Sequence, residues 1–100
     1  MNKEPHNLID ETIHQRTRLA MMATLAGVTA LEFNELKTQL GLTDGNLSTH
    51  AAALERAGFV RIDKEFVARK PLTTIAITPK GRRALENYVN LLQGILNKVK

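Results

Sequence analysis

A chain of 100 residues with 43% hydrophobic, 24% charged and 4% aromatic side chains suits one globular domain and is too short for two. It has no cysteine, which excludes disulfides, thiolate nucleophiles and thiolate metal sites. The formal net charge of +4 is unevenly spread: residues 1–50 carry four Lys/Arg against six Asp/Glu, residues 51–100 ten against four, and an excess so placed favours a polyanionic partner.

Residues 1–9 are polar, lack the apolar run of a signal peptide, and read as a loosely held arm. From Asp10 the pattern turns helical. Ile13, Thr17, Ala20/Met21 and Thr24/Leu25 recur at three- and four-residue spacing, so a helix is predicted over 10–26, with Asp10 as N-cap and Gly27 as stop. The longest uncharged stretch, residues 19–31, has 13 residues, where a membrane span needs about 20. A cytoplasmic protein is expected. Thr29 to Leu31 is a candidate strand stub. Phe33, Leu36, Lys37 and Leu40 give a short helix closed by Gly41. Thr43 then caps a further helix, with Asp44 in its first turn and Leu47, Ala51 and Leu54 on one side, ending at Ala57-Gly58.

The period next changes from 3.6 to 2. Residues 59–63 alternate, with Val60 and Ile62 on one face and Arg61 and Asp63 on the other; residues 74–78 place Ile75 and Ile77 inward. A hairpin with a long basic connection over 64–71 is predicted. Thr78-Pro79 supplies an N-cap followed by proline at the first helical position. The helix from 79 to 98 carries one stripe of Leu85, Tyr88/Val89, Leu92, Ile95/Leu96 and Val99. Two short helices joined by Gly41-Leu42-Thr43 with a hairpin behind them make a winged helix-turn-helix. The expected class is mainly α with a small β-hairpin: one domain over 10–100, helix-turn-helix about 33–57 and wing about 59–78.

With Leu47, Ala51 and Leu54 facing the core, 100° per residue turns Gly45, Thr49, Ala52 and Arg56 outward. The start of such a helix is what reaches base edges in the major groove. Gly45, Asn46, Thr49 and Ala53 are therefore the candidate base readers: Asn46 has the geometry for adenine, Thr49 for donating or accepting, and Ala53 for a thymine methyl. Thr43, Ser48, Arg56, Arg61, Lys64, Arg69 and Lys70 are the candidate backbone contacts, with Pro71 stiffening the wing loop. Arg16, Arg18, Lys80, Arg82 and Arg83 are further cations within reach. Between Thr43 and Glu55 the chain has no lysine or arginine.

The segments Arg18-Leu19-Ala20-Met21, Phe33-Asn34-Glu35-Leu36-Lys37, and residues 40–50 (Leu40-Gly41-Leu42-Thr43-Asp44-Gly45-Asn46-Leu47-Ser48-Thr49-His50) follow one another in a specific order. They continue with Leu54-Glu55-Arg56-Ala57-Gly58-Phe59-Val60, Arg69-Lys70-Pro71 with Thr73-Thr74, and Ile77-Thr78-Pro79-Lys80-Gly81-Arg82. The ordered set resembles the winged helix-turn-helix transcriptional regulators of the MarR/ArsR kind, in their small single-domain form, over about residues 13–88. The resemblance implies a homodimer that sets two recognition helices in successive major grooves, with the wings on the flanking backbone. The chain departs from the family at Thr49, Ala51, Ala52 and Ala53, where members usually carry Arg or Lys outward and Leu in place of Ala51.

A helix over 79–98 is about 30 Å long at 1.5 Å per residue, more than a domain of radius about 13 Å covers. Ile13, Leu85, Tyr88, Val89, Leu92, Ile95, Leu96 and Val99 are accordingly assigned to a dimer interface. A small-molecule effector, if one exists, has its place at that interface near Met21 and Met22. No cofactor or metal is expected: His6, His14 and His50 are scattered, and His50 is expected to bond a neighbouring backbone group. No assembled nucleophile or paired carboxylates suggest an enzyme. Double-stranded DNA and a repressor function are the leading reading. The rival is a winged helix used as a protein-interaction module, suggested by the cation-free Ala51-Ala52-Ala53 helix.

Overall fold

The computed structural model describes residues 11–99, so the arm over 1–9 and the Asp10 cap lie outside the described residues. Eight elements follow in the order α1 (Glu11–His14), α2 (Arg16–Ala26), β1 (Leu31–Glu32), α3 (Phe33–Leu40), α4 (Asp44–Arg56), β2 (Val60–Val67), β3 (Lys70–Ile77) and α5 (Pro79–Val99). The strands form one antiparallel sheet in the order β1-β3-β2. The mainly helical winged-helix class expected from the sequence is the class observed.

The single helix expected over 10–26 is two. Gln15 adopts extended backbone (φ −64, ψ 129) and its Oε1 accepts the Arg18 N–H at 2.9 Å, so it is the N-cap of α2. The break turns Ile13 into the core, where it is fully buried. α2 is the central helix, packed on α1, α3, α4, α5 and β3. Its Met21, Met22 and Leu25 have no exposed surface. Gly27 stops it in ordinary right-handed geometry (φ −90), and Arg82 Nη1 donates to the Ala26 carbonyl at 3.0 Å, tying α5 to the end of α2.

The helix-turn-helix obeys its capping chemistry closely. Gly41 takes φ 64, Leu42 N–H donates to the Lys37 carbonyl at 3.0 Å, and the chain leaves α3 in a Schellman turn. Thr43 Oγ1 then accepts the Asn46 N–H at 3.1 Å and starts α4. Lys37 Nζ bonds Asp44 Oδ1 at 2.8 Å across the turn. α4 ends in a second Schellman turn, with Gly58 at φ 79 and Phe59 N–H on the Leu54 carbonyl at 2.9 Å. Leu47, Ala51 and Leu54 are all buried, as their spacing required.

The wing is where the structure differs most from the expected form. No long loop spans 64–71. β2 and β3 stay paired in register from Val60↔Ile77 to Val67↔Lys70, and only Ala68 and Arg69 turn the chain. Both residues have left-handed backbone (φ 52 and 66), the geometry of a two-residue type I′ hairpin turn. Pro71 is therefore a strand residue opposite Phe66 and stiffens no loop. It is tolerated because β1 covers β3 only at Thr74 and Ile75, leaving this end of β3 as a free edge.

α5 begins with the expected cap: Thr78 Oγ1 accepts the Gly81 N–H at 2.9 Å and donates to the Gly58 carbonyl at 2.6 Å. Gly81 sits so close to the residue before β2 that a Cβ there would fall on the Phe59 carbonyl oxygen. Among the described residues no helix is long and apolar enough to cross a membrane.

Candidate nucleic-acid interface

α4 presents Gly45, Asn46, Ser48, Thr49, Glu55 and Arg56 at the surface, while Ala52 and Ala53 are half-buried. Ala52 does not point straight outward. Helical rotation brings it and Ser48 round to the hairpin, where they line a concavity of about 400 Å³ with Phe33, Glu55, Ile62, Lys64 and Thr73. Of the four candidate base readers, Gly45, Asn46 and Thr49 share the exposed N-terminal half of α4, and Ala53 is set back. The Thr43 hydroxyl is engaged in the cap, with the Asn46 amide as its donor.

The candidate backbone cations sort into two groups. Arg61 is held by its strand neighbour Asp63 (Nε to Oδ2, 2.9 Å). Lys64, Arg69 and Lys70 are exposed, and no ion pair among the described residues involves them. Lys64 lies on the concavity between wing and α4, and Arg69 stands at the hairpin turn. At the other end of the helix pair, Arg18 is half-buried and its Nε donates to His50 Nδ1 at 3.1 Å. His50 thus bonds an arginine side chain rather than the backbone expected. Its burial, and then the Arg18 charge, hold the imidazole below the ordinary value of 6.5.

The assigned dimer surface also changes. Ile13 is spent in the subunit's own core, and Tyr88, 5% exposed, shares a hydrogen bond of 2.8 Å with His14 Nδ1. Neither is available to a partner. Leu85, Leu92 and Ile95 are half-buried, while Val89, Leu96 and Val99 are exposed, so the free stripe lies in the distal half of α5. Met21 and Met22 are sealed in the subunit's own core. Among the described residues no three His, Cys, Asp or Glu side chains converge.

Sequence reasoning passed over Phe66, which stands 76% exposed at the wing tip. The signal was available: Ile62, Lys64 and Phe66 continue one period-2 face.

A family model described as a winged helix DNA-binding domain matches residues 17–96. The chain belongs to that family. It is also 46% identical over 72 residues to an uncharacterized protein of Methanocaldococcus jannaschii, covering 72% of this chain and 78% of the relative. Among solved structures it is similar to a transcriptional regulator homologue from Pyrococcus horikoshii OT3, with a TM-score of 0.85, 27% identity, and coverage of 91% of this chain and 90% of that one. A MarR-family regulator from Enterococcus faecalis V583 shares the fold with a TM-score of 0.78 at 22% identity, covering 99% and 92%. The winged helix therefore has the fold of these two solved proteins, a transcriptional regulator homologue and a MarR-family regulator.

Proposed function

We propose that the chain is a homodimeric repressor that binds duplex DNA with α4 in the major groove and the wing on the adjoining phosphates. The DNA-binding unit is residues 10–100. The observation that carries the proposal is the pairing of an exposed, well-capped helix start at Gly45 to Thr49 with three cations, Lys64, Arg69 and Lys70, that have no ion-pair partner among the described residues. Asn46 and Thr49 read bases, with Gly45 allowing close approach and Ala53 at the margin. Ser48, Arg56 and the wing cations hold phosphates, and Thr43 helps by fixing the helix end. The free stripe of Val89, Leu92, Ile95, Leu96 and Val99 receives the same stripe of a second copy. Two α4 helices then lie about 34 Å apart, one DNA turn. Repression follows from occlusion of the site.

Selection of bound sites from a random duplex pool, followed by salt titration, tests this reading. A palindromic motif is expected. Three or four neutralised phosphates per subunit give a log–log salt slope of about −5 to −7 for the dimer. Arg69→Ala with Lys70→Ala should weaken binding to every sequence and bring the slope about two units per subunit nearer zero. Absence of duplex binding at low salt would leave the cation-poor surface of α4 to a protein partner instead.

A further inference from the structure

Phe66 is the second most exposed large hydrophobic residue described, after Val99 near the chain end, and Val67 beside it is 53% exposed. Exposed apolar side chains at the end of a β-ribbon invite edge-to-edge aggregation, and such ends normally carry charge or are covered. The register shows which way this one faces. Ile62↔Ile75 turns one face of the ribbon onto the body, Lys64↔Thr73 carries that face along the concavity beside α4, and Phe66↔Pro71 is the next pair outward. Phe66 therefore belongs to the face that looks toward the α4 side, about 7 Å beyond Lys64 along the strand. Lys64 shares that face and Arg69 stands at the adjoining turn, while Lys70, paired with Val67, and the acid Glu65 belong to the opposite face. An apolar knob in line with Lys64 and next to the turn cation Arg69, neither in an ion pair among the described residues, suits a polyanion that also offers apolar surface. Duplex DNA does so at its sugars and at the faces of its bases.

We infer that Phe66 is an apolar wedge for the minor groove next to the major groove held by α4, entering a base step and bending the duplex; the inference rests on the DNA-binding reading above. Phenylalanine and proline are among the side chains that unstack base steps from this groove, and the resulting bend is toward the major groove. Here that direction closes the duplex around α4 and brings flanking phosphates toward Lys64 and the turn at Arg69. Pro71, opposite Phe66, backs the ring with a residue of fixed φ. Flexible pyrimidine–purine steps are the preferred entry points.

The test uses the full chain, the duplex obtained by selection, and 2-aminopurine placed at successive flanking positions. A fluorescence rise is expected at one step in each half-site with the wild type and with Phe66→Leu, and none with Phe66→Ala. Phe66→Ala should bind about tenfold more weakly, the scale of one lost base–aromatic contact, with the salt slope unchanged because no charge is removed. Lys64→Ala, by contrast, should change the slope. Wild-type affinity for Phe66→Ala, or a flat fluorescence profile in the wild type, overturns the wedge while leaving DNA binding intact. A shift of Phe66→Ala to a smaller assembly without DNA overturns it in favour of a contact between copies. Failure of the wild type to bind duplex at low salt defeats the regulator reading and the wedge with it.

Discussion

α4 and the wing lie side by side and are built on opposite plans. α4 is anchored at both ends, by the Thr43 cap and the Gly58 turn, and along its length by Leu47, Ala51 and Leu54. Its outer surface holds no cation before Arg56. The wing is fastened at its base alone: Val60 and Ile75 are buried, whereas every β2 residue from Asp63 to Val67 is exposed. That outer half carries the charge. The contrast separates two tasks. On the DNA-binding reading proposed above, a helix poor in cations would discriminate between sequences with little dependence on salt, and a projecting basic ribbon would supply affinity that salt weakens.

Stability gives the largest expected difference. Leu47→Ala hollows the core beneath α4 and should cost about 3 kcal/mol in urea unfolding. Lys64→Ala, on the exposed ribbon, should stay within about 0.5 kcal/mol. Equal losses would break the contrast. Asn46→Ala comes next: it should change base preference by about 1–2 kcal/mol at one position of the selected motif while leaving the salt slope alone. An unchanged motif removes Asn46 from the readers.

Smaller again is Ala68→Gly. An alanine at φ 52 bears the steric cost of left-handed backbone, so glycine should stabilise the chain by about 0.5–1 kcal/mol, read as a rise in Tm. A fall would show that the turn relaxes in solution.

The smallest effect is in pH. The folded His50 ring binds a proton less readily than the unfolded one, because it is partly desolvated and faces Arg18. Stability is therefore full above the unfolded value near 6.5 and declines as pH falls through the lower folded value. Melting followed between pH 7.5 and 5 should show a shallower decline in His50→Gln than in the wild type.

What the sequence revealed and what it hid divide along the same physical line. Gly41, Thr43, Gly58 and Thr78-Pro79 were legible because capping is chemistry between residues a few positions apart. The core positions of α4 were legible from their spacing. The hairpin turn was not, since Ala68-Arg69 has neither glycine nor asparagine to announce left-handed backbone; the pairing of the strands imposes it. Gln15 was hidden for a similar reason: it caps α2 although glutamine is no favoured cap, and the burial of Ile13 accompanies the break. The His14–Tyr88 and Arg18–His50 bonds join residues 74 and 32 positions apart, and no local pattern announces such partners. At the candidate interface, Asn46 and the wing cations could be named from the sequence. The direction in which Phe66 faces required the register.

Gly81 lies at a joint between three elements. Its missing side chain lets the start of α5 rest on Phe59, the Thr78 hydroxyl holds the Gly58 carbonyl, and Thr78 N–H donates to the Phe59 carbonyl at 3.0 Å. The end of α4, the base of the wing and the root of α5 are thereby pinned within a few residues of each other. Mechanically this is a crank with a long arm: α5, about 30 Å in length, cannot swing without carrying the helix and the ribbon around the same pivot. A tilt of about 10° at the joint displaces the far end by about 5 Å. Whatever grips that end sets the aim of the whole head.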